Sequence, residues 1–358
     1  MKEIVFVINR LGGTGWGGAH RVTAILSNYF ARKNYKVTLI VWERTEIKYP
    51  IDNKVKIEYL DINVTNSKKR IQACLETRKR IKEKKGAWVI VLMSRMAVDI
   101  YWFTRFQKIK FLGAERTDPR SEPKTKIKRL FRNFSFCFMN KIVFQTEDAK
   151  KYFPKIAQKK SIVIPNPISP NLIKEYHGER EKNFVTFCRI DKQKNLYMMI
   201  DAFIISHKSH PEFKLEIYGN GIIEKEIKEY IRSSNAEDFI KMYDFCTNIH
   251  EKIIKKYAFL SSSDYEGISN SMLEAMAIGL PCICTDCPCG GAKMIIQDGI
   301  NGILVPVKNA QIMSGKINEL IENKELADKL SINASKIREE LNQELICKKW
   351  EEFINNGN

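Results

Sequence analysis

Short apolar runs alternate along the chain with longer stretches of helical, mixed polarity. Over the first 165 residues the runs at 2–9, 36–42, 55–60, 88–93, 110–115, 141–146 and 161–165 are rich in Val, Ile, Leu and Phe, and they predict seven strands. Runs at 183–190, 213–219, 239–245, 257–263 and 280–286 predict five more. Helical segments lie between most of them. This alternation predicts an α/β fold with parallel, doubly wound sheets, one in each half. No sequence repeat of solenoid period interrupts it.

The joint between the halves is expected within 165–183, where Pro165, Pro167 and Pro170 exclude regular structure and a charged stretch follows. That gives a first domain over 1–165 and a second over 166–340. The pattern at 341–354 is helical with no strand after it, so the helix at 341–358 is expected to pack back on the first domain. The opening MKEIVFVINR reads as a first strand, not a signal peptide.

Candidate chemistry concentrates in DYEGISNSMLEAMAIGLP, residues 264–281. Ser269 or Asn270 can cap a helix there, and Gly279 with Pro281 can stop it. Glu266 then stands before the helix and Glu274 inside it, where a carboxylate needs a partner. The helix N-terminus follows a predicted strand, so it opens at the carboxyl edge of a parallel sheet, an anion-binding position. From Ser269 to Glu274 the helix rises about 7.5 Å, placing Glu274 within reach of a ribose whose phosphates sit on the helix end. Upstream, Arg189 and Lys194 follow another strand, and two cations at such an edge suit a diphosphate leaving group. LEIYGNG, 215–221, ends a strand in glycines, including Gly219, that would let a ligand approach the backbone.

These pieces, together with GGAHRVTAILSNYF at 17–30 and the run from Tyr265 to Pro306, resemble the retaining glycosyltransferases of family 4. The resemblance implies a GT-B fold, two facing Rossmann-like domains with a nucleotide sugar in the cleft. It implies that Arg189 and Lys194 hold the diphosphate, Glu274 binds ribose hydroxyls and Glu266 contacts the donor sugar. Gly267, Asn270 and Ser271 would line the phosphate or sugar site, and Gly17 and Gly18 would let the first-domain loop approach donor and acceptor. No metal or cofactor is implied beyond the nucleotide-sugar substrate, which is expected to be a UDP-sugar. Transfer would keep the anomeric configuration, with the leaving phosphate helping to deprotonate an acceptor hydroxyl. The chain departs from the family pattern at His20, where an acidic residue is common, and at Met93, Ser94 and Arg95, where a histidine is common. Glu115, Arg116 and Asp118, in the loop after the fifth strand, are further candidates for acceptor or sugar contact.

Charge adds a second theme. The net charge is +18, yet residues through Pro165 hold 36 Lys and Arg against 14 Asp and Glu, or +22, so the second half is slightly acidic. Such a basic half attracts an anionic surface. KTKIKRLFRNFSFCFMNK, 124–141, interleaves cations with Ile127, Leu130, Phe131, Phe134, Phe136 and Phe138, which reads either as an interfacial helix or as an ordinary one with a buried apolar face. No recognised nucleic-acid module surrounds the charge. No run of about 18 apolar residues exists to span a membrane. The expected setting is the inner face of the cytoplasmic membrane, with a glycan or polyprenyl-diphosphate-linked glycan acceptor in bacterial surface polysaccharide assembly.

Two other readings compete. Gly13, Gly15 and Gly18 form a literal G-x-G-x-x-G, with Glu43 closing the next strand, which in form is the fingerprint of an NAD(P)-dependent oxidoreductase. Cys282, Cys284, Cys287 and Cys289 include a C-x2-C pair, but no second pair or histidine lies nearby, so buried or loop thiols are expected rather than metal. Nine cysteines, an odd set in a large chain, fit a reducing compartment.

Overall fold

The protein's structure is a computed structural model that describes residues 2–12, 18–169 and 171–356. It divides into two compact units, Met1–Pro167 with Gln343–Asn358, and Ile168–Asn342.

The first unit is built on seven parallel strands: β1 (Glu3–Ile8), β2 (Lys36–Val41), β3 (Lys56–Tyr59), β4 (Trp88–Val91), β5 (Lys110–Glu115), β6 (Lys141–Phe144) and β7 (Ser161–Val163), in the spatial order β3-β2-β1-β4-β5-β6-β7. Five of the six residues of β1 are buried, as are all four of β4, because helices cover both faces of a parallel sheet. The edge strands β3 and β7 are half-exposed.

The second unit carries β8 (Asn183–Phe187), β9 (Lys214–Tyr218), β10 (Ile240–Tyr243), β11 (Ala258–Ser261), β12 (Cys282–Thr285) and β13 (Ile303–Val305), in the order β10-β9-β8-β11-β12-β13. Its core joins Phe184, Leu215, Leu260 and Ile283 from the sheet to Met199, Phe203 and Ile317 from the helices. The sequence pattern did not predict β13, a triplet wedged between Gly302 and Pro306, too short to stand out as a run. Both sheets reverse direction beside their first strand, between β1 and β4 and between β8 and β11. At such a switch point the loops after the two strands diverge and leave a ligand crevice. Among the described residues no helix is long and apolar enough to cross a membrane.

The C-terminal helix Gln343–Asn355 belongs to the first unit. It buries Ile346, Cys347, Trp350 and Ile354, packing on the helix Gly18–Arg32. Polar contacts fix its register. Tyr29 donates its hydroxyl to Glu351 at 2.7 Å and Tyr35 donates to the same carboxylate at 2.9 Å. Lys141 donates to the carbonyls of Phe353 and Asn356. Burial, and then the bond to Glu351, raise the Tyr29 pKa above the ordinary phenol value, so this phenol stays a donor at neutral pH. Trp350 is fully buried, and Trp350→Ala is expected to lower stability by about 3–5 kcal/mol in denaturant titration. A loss under about 1 kcal/mol would mean that the helix is a dispensable appendage.

Candidate active site

The site in the second unit is assembled from the loops after β8 and β11. The chain leaves β8 through Cys188, Arg189 and Ile190, makes one tight turn at Lys192–Lys194, and enters the helix Leu196–His207 through Asn195. Asn195 sits in the left-handed region at φ 43° and caps that helix, accepting from the Met198 amide, while its side-chain amide donates to Asp264 at 2.8 Å. Ser262 donates to the carbonyls of Lys194 and Asn195, the Asp264 amide donates to the Gln193 carbonyl, and the Gln193 side chain donates to the Tyr265 carbonyl. The two loops are thereby stitched into one surface.

That stitching brings Lys194 and Glu266 together across 72 positions of sequence. Lys194 Nζ lies 2.7 Å from each carboxylate oxygen of Glu266, which also accepts from the Ser263 hydroxyl at 3.0 Å. Burial disfavours the Lys194 ammonium, but the Glu266 carboxylate more than offsets it and holds the pKa above the ordinary lysine value. Lys194 is therefore a cation throughout the neutral range. Arg189 differs: its side chain is 60% exposed and donates to Asp191 and Gln193.

Beyond Glu266 the helix Asn270–Ala277 begins, capped by Ser269, whose hydroxyl accepts from the Met272 amide. It ends at Gly279, whose φ of +82° and whose bonds from the Gly279 and Leu280 amides to the Met276 and Ala275 carbonyls close the last turn. Glu274 lies in its second turn, and its Oε2 accepts from His250 Nε2 at 3.1 Å. His250 is carried by the short helix Ile249–Ile253 before β11 and packs edge-on to Phe187, the last residue of β8. The carboxylate in an apolar helix thus has a partner. Sequence reasoning gave His250 no chemistry, since nothing at its position marks the pairing with a residue 24 places on.

The glycines serve a purpose other than the expected one. Gly219 has φ +149°, and a Cβ on it would meet the Cys188 carbonyl oxygen at 1.9 Å; a Cβ on Gly221 would meet the Ile190 oxygen at 1.9 Å. The LEIYGNG turn is stripped of side chains so that the protein's own β8 loop can lie against it. Gly267 is approached by Gly291, whose Cβ would fall 1.7 Å from the Gly267 oxygen. The loop after β12 is tied in by the Glu266 amide, which donates to the Pro288 carbonyl, and by Thr285, which donates to the Ser263 carbonyl.

In the first unit, His20 is buried with Nε2 3.0 Å from Asn9 Oδ1, tying the helix that opens at Gly18 to the end of β1. Gly17 lies outside the described residues, as do Gly13 and Gly15. Glu115 is 1% exposed and is occupied by the protein itself: it pairs with Arg132 at 3.1 Å and accepts from the amides of Arg116 and Thr117 and the Thr117 hydroxyl. Asp118 is likewise spent within its own turn, on the Arg120 amide and the Ser121 hydroxyl. These two carboxylates build the loop rather than face a ligand. Arg116 reaches Asn166, and burial, then repulsion from Arg21, push its pKa down to about 9.

One surface concavity of about 640 Å³ lies where the helices Ala310–Glu322 and Lys324–Ser335 meet and contains none of these residues. Among the described residues no group of three or more His, Cys, Asp or Glu is arranged to hold a metal ion. Cys282, Cys284, Cys287 and Cys289 are buried free thiols on β12 and the loop behind Glu266.

Residues 171–337 match the family model of the glycosyl transferases group 1. That stretch, just under half of the chain, resembles the family, and the chain is a retaining glycosyltransferase of the GT-B fold. The amylovoran biosynthesis glycosyltransferase AmsD of Erwinia amylovora is 24% identical over 99% of this chain and 100% of its own. The N-acetylgalactosamine-N,N'-diacetylbacillosaminyl-diphospho-undecaprenol 4-alpha-N-acetylgalactosaminyltransferase of Campylobacter jejuni is 29% identical over 50% of this chain and 49% of its own. The crystal structure of Anabaena HepE in complex with UDP and glucose superposes with a TM-score of 0.81 at 16% identity, covering 100% of both chains, a likeness of fold. A glycosyltransferase activity overturns the oxidoreductase reading of the 13–18 glycines.

The thiols supply a direct check on how firmly this region is closed. Burial pushes the Cys287 thiol up to about 12, and burial raises Cys282 and Cys284 above the ordinary thiol value as well. Since the thiolate is the nucleophile, native protein at about pH 8 should alkylate at the part-exposed Cys137 and Cys246 while the β12 quartet stays unmodified, as peptide mass mapping would read. Rapid labelling of Cys287 would show that the loop behind Glu266 opens.

Proposed function

We propose that the protein transfers a hexose or N-acetylhexosamine from a UDP-sugar to a hydroxyl of a growing glycan, with retention and without a metal. The observation that carries this reading is the convergence of Lys194, Glu266 and the N-terminus of the Asn270–Ala277 helix on one sheet edge, with Glu274 one turn further along. Arg189 and Lys194 hold the diphosphate, whose charge grows as the glycosidic bond breaks. An ammonium has three donors, so Lys194 can keep Glu266 and still meet a phosphate oxygen. Glu266, fixed by Lys194 and Ser263, accepts from hydroxyls of the donor sugar. The backbone at Gly267, Asn270 and Ser271 and the positive helix end attract the phosphates. Glu274, oriented by His250, binds the ribose. Gly219 acts at one remove, by letting the β8 loop seat.

The first unit, Met1–Pro167 with Gln343–Asn358, is assigned to the acceptor, with Gly17, Gly18, His20 and Arg116 as its contacts. The second, Ile168–Asn342, is assigned to the nucleotide sugar. HepE was crystallised with UDP and glucose, AmsD serves amylovoran biosynthesis, and the Campylobacter jejuni enzyme acts on a diphospho-undecaprenol glycan. Together they favour a UDP-sugar donor and a lipid-linked acceptor at the inner face of the cytoplasmic membrane, in bacterial surface polysaccharide synthesis.

Thermal shift with UDP, GDP and NAD, each with and without magnesium, tests the donor assignment. UDP at about 100 times its Kd should stabilise by about 2.7 kcal/mol regardless of magnesium. A shift with NAD alone, or one that requires magnesium, would overturn it. For the site, Lys194→Met and Glu274→Gln should each lower turnover about 100-fold or more with an intact fold by circular dichroism. Wild-type rates in either would remove that residue from the site. His250→Ala should weaken UDP binding by about 1 kcal/mol, one hydrogen bond's worth, measured by calorimetry.

A further inference from the structure

The helix Lys126–Phe136 is packed inside out. The residues it buries are Arg132, Ser135 and Phe136, and the apolar stripe Ile127, Leu130, Phe131, Phe134, continued by Phe138, faces outward. A surface helix ordinarily turns such a stripe to the core. Here the core side is polar by design: Arg132 pairs with Glu115 and donates to the carbonyls of Pro119 and Glu122, and Ser135 receives the Trp102 indole N–H at 2.9 Å. The reading of 124–141 as an ordinary helix with a buried apolar face is thereby overturned.

The outward face is a built surface. Trp102, on the helix Ser94–Thr104, stacks on Phe131 and Phe134 and touches Phe138, with ring centroids 5.9, 6.2 and 6.3 Å away. Because the indole N–H is satisfied inward, the ring shows only carbon outward. Ile127 is 80% exposed, Leu130 68% and Phe106 83%. Cations frame the patch: Arg105 lies over the rings of Trp102 and Phe106, and Lys108, Lys124, Lys126 and Lys128 are exposed. Neither 100–114 nor 123–146 contains an acidic residue. Lys126 and Lys128 occupy the first turn, where cations oppose the helix dipole, and Thr125 makes no side-chain cap bond. Helix stability does not explain those lysines.

We propose that this face inserts into an anionic bilayer, with Phe106, Ile127, Leu130, Phe131, Phe134 and Phe138 entering the acyl boundary and Arg105 and the lysines meeting lipid phosphates. An apolar stripe ringed by cations is what an interfacial helix needs. A second copy fits less well, since an isologous contact would set the same cations against themselves. Nucleic acid fits less well because Ile127 and Leu130 have no ring on which a base can stack. The surface is independent of the donor site, so the inference stands apart from the identity of the sugar.

Flotation with vesicles of phosphatidylcholine alone or mixed with phosphatidylglycerol tests it. The wild type should float only with the anionic vesicles. Raising salt from about 0.1 M to about 1 M, which shortens the Debye length from about 10 Å to about 3 Å, should weaken binding without abolishing it. The double variant Ile127→Ser/Leu130→Ser, two side chains too exposed to matter to the fold, should partition at least about tenfold less at both salts with an unchanged melting temperature. Lys126→Glu/Lys128→Glu should lose the low-salt component. Acyl-brominated lipid should quench wild-type tryptophan emission, and Trp102→Phe should remove that quenching. Failure of the wild type to float with anionic vesicles, flotation of the Ile127/Leu130 variant at wild-type levels, or a vesicle-free dimer dissolved by that variant would each overturn the proposal.

Discussion

The candidate site of the second unit turns on one contact, the Lys194–Glu266 ion pair. Each loop that meets there is shaped to permit it. The β8 loop can reach inward because Gly219 and Gly221 carry no Cβ, and the β11 loop is backed by the Gly267–Gly291 approach and by Thr285. Taking two charges largely out of water costs several kcal/mol per ion. Their attraction, about 4 kcal/mol at 4 Å for an effective dielectric near 20, is of similar size. The raised Lys194 pKa shows that attraction has the upper hand for the lysine. The net gain to folding is still small for so many constrained residues, so stability alone does not account for the pair. The proposed role does account for it: a charge held ready, desolvated and aimed at an incoming diphosphate.

How much of this could be read from the sequence depends on what kind of fact each residue embodies. Strands buried on both faces leave uninterrupted apolar runs, and twelve of the thirteen strands were visible for that reason; β13, three residues long, leaves no run. The capped helix at Asn270–Ala277 was visible because Ser269 and Gly279 act locally. Partnerships across the fold were not. Nothing in the spacing joins Lys194 to Glu266, or His250 to Glu274, since each link exists only after β8 and β11 pair. The glycines of LEIYGNG were seen but misread: a missing side chain signals close approach and does not say whether a ligand or the chain itself approaches.

The two sheets share the same reversal of strand order, yet their edges have been put to different uses. In the second unit the edge residues are a cation and carboxylates aimed along a helix end. In the first, the acidic residues Glu115 and Asp118 are consumed in holding the loop after β5, and Glu115 is neutralised by Arg132, which reaches it from the helix Lys126–Phe136. Burial of that pair raises the Glu115 pKa above the ordinary carboxylate value and lowers that of Arg132, the mark of charges held with little water. A topological position favours a site without deciding its chemistry.

Arg132 also links the interior of the first unit to its surface. A helix has one face to bury, and this one spends it on a guanidinium that fans out to Glu115, Pro119 and Glu122. Once that face is committed, the rings at Phe131, Phe134 and Phe138 have nowhere to go but outward, where Trp102 gathers them into a single apolar surface. Local propensity, dipole and packing agree through much of the fold and disagree on this helix, and such disagreement concentrates where a protein serves something other than its own stability. Part of the +22 charge of the first 165 residues then acquires a direction: Arg105, Lys108, Lys124, Lys126 and Lys128 frame an apolar face, in the arrangement that an anionic lipid surface complements.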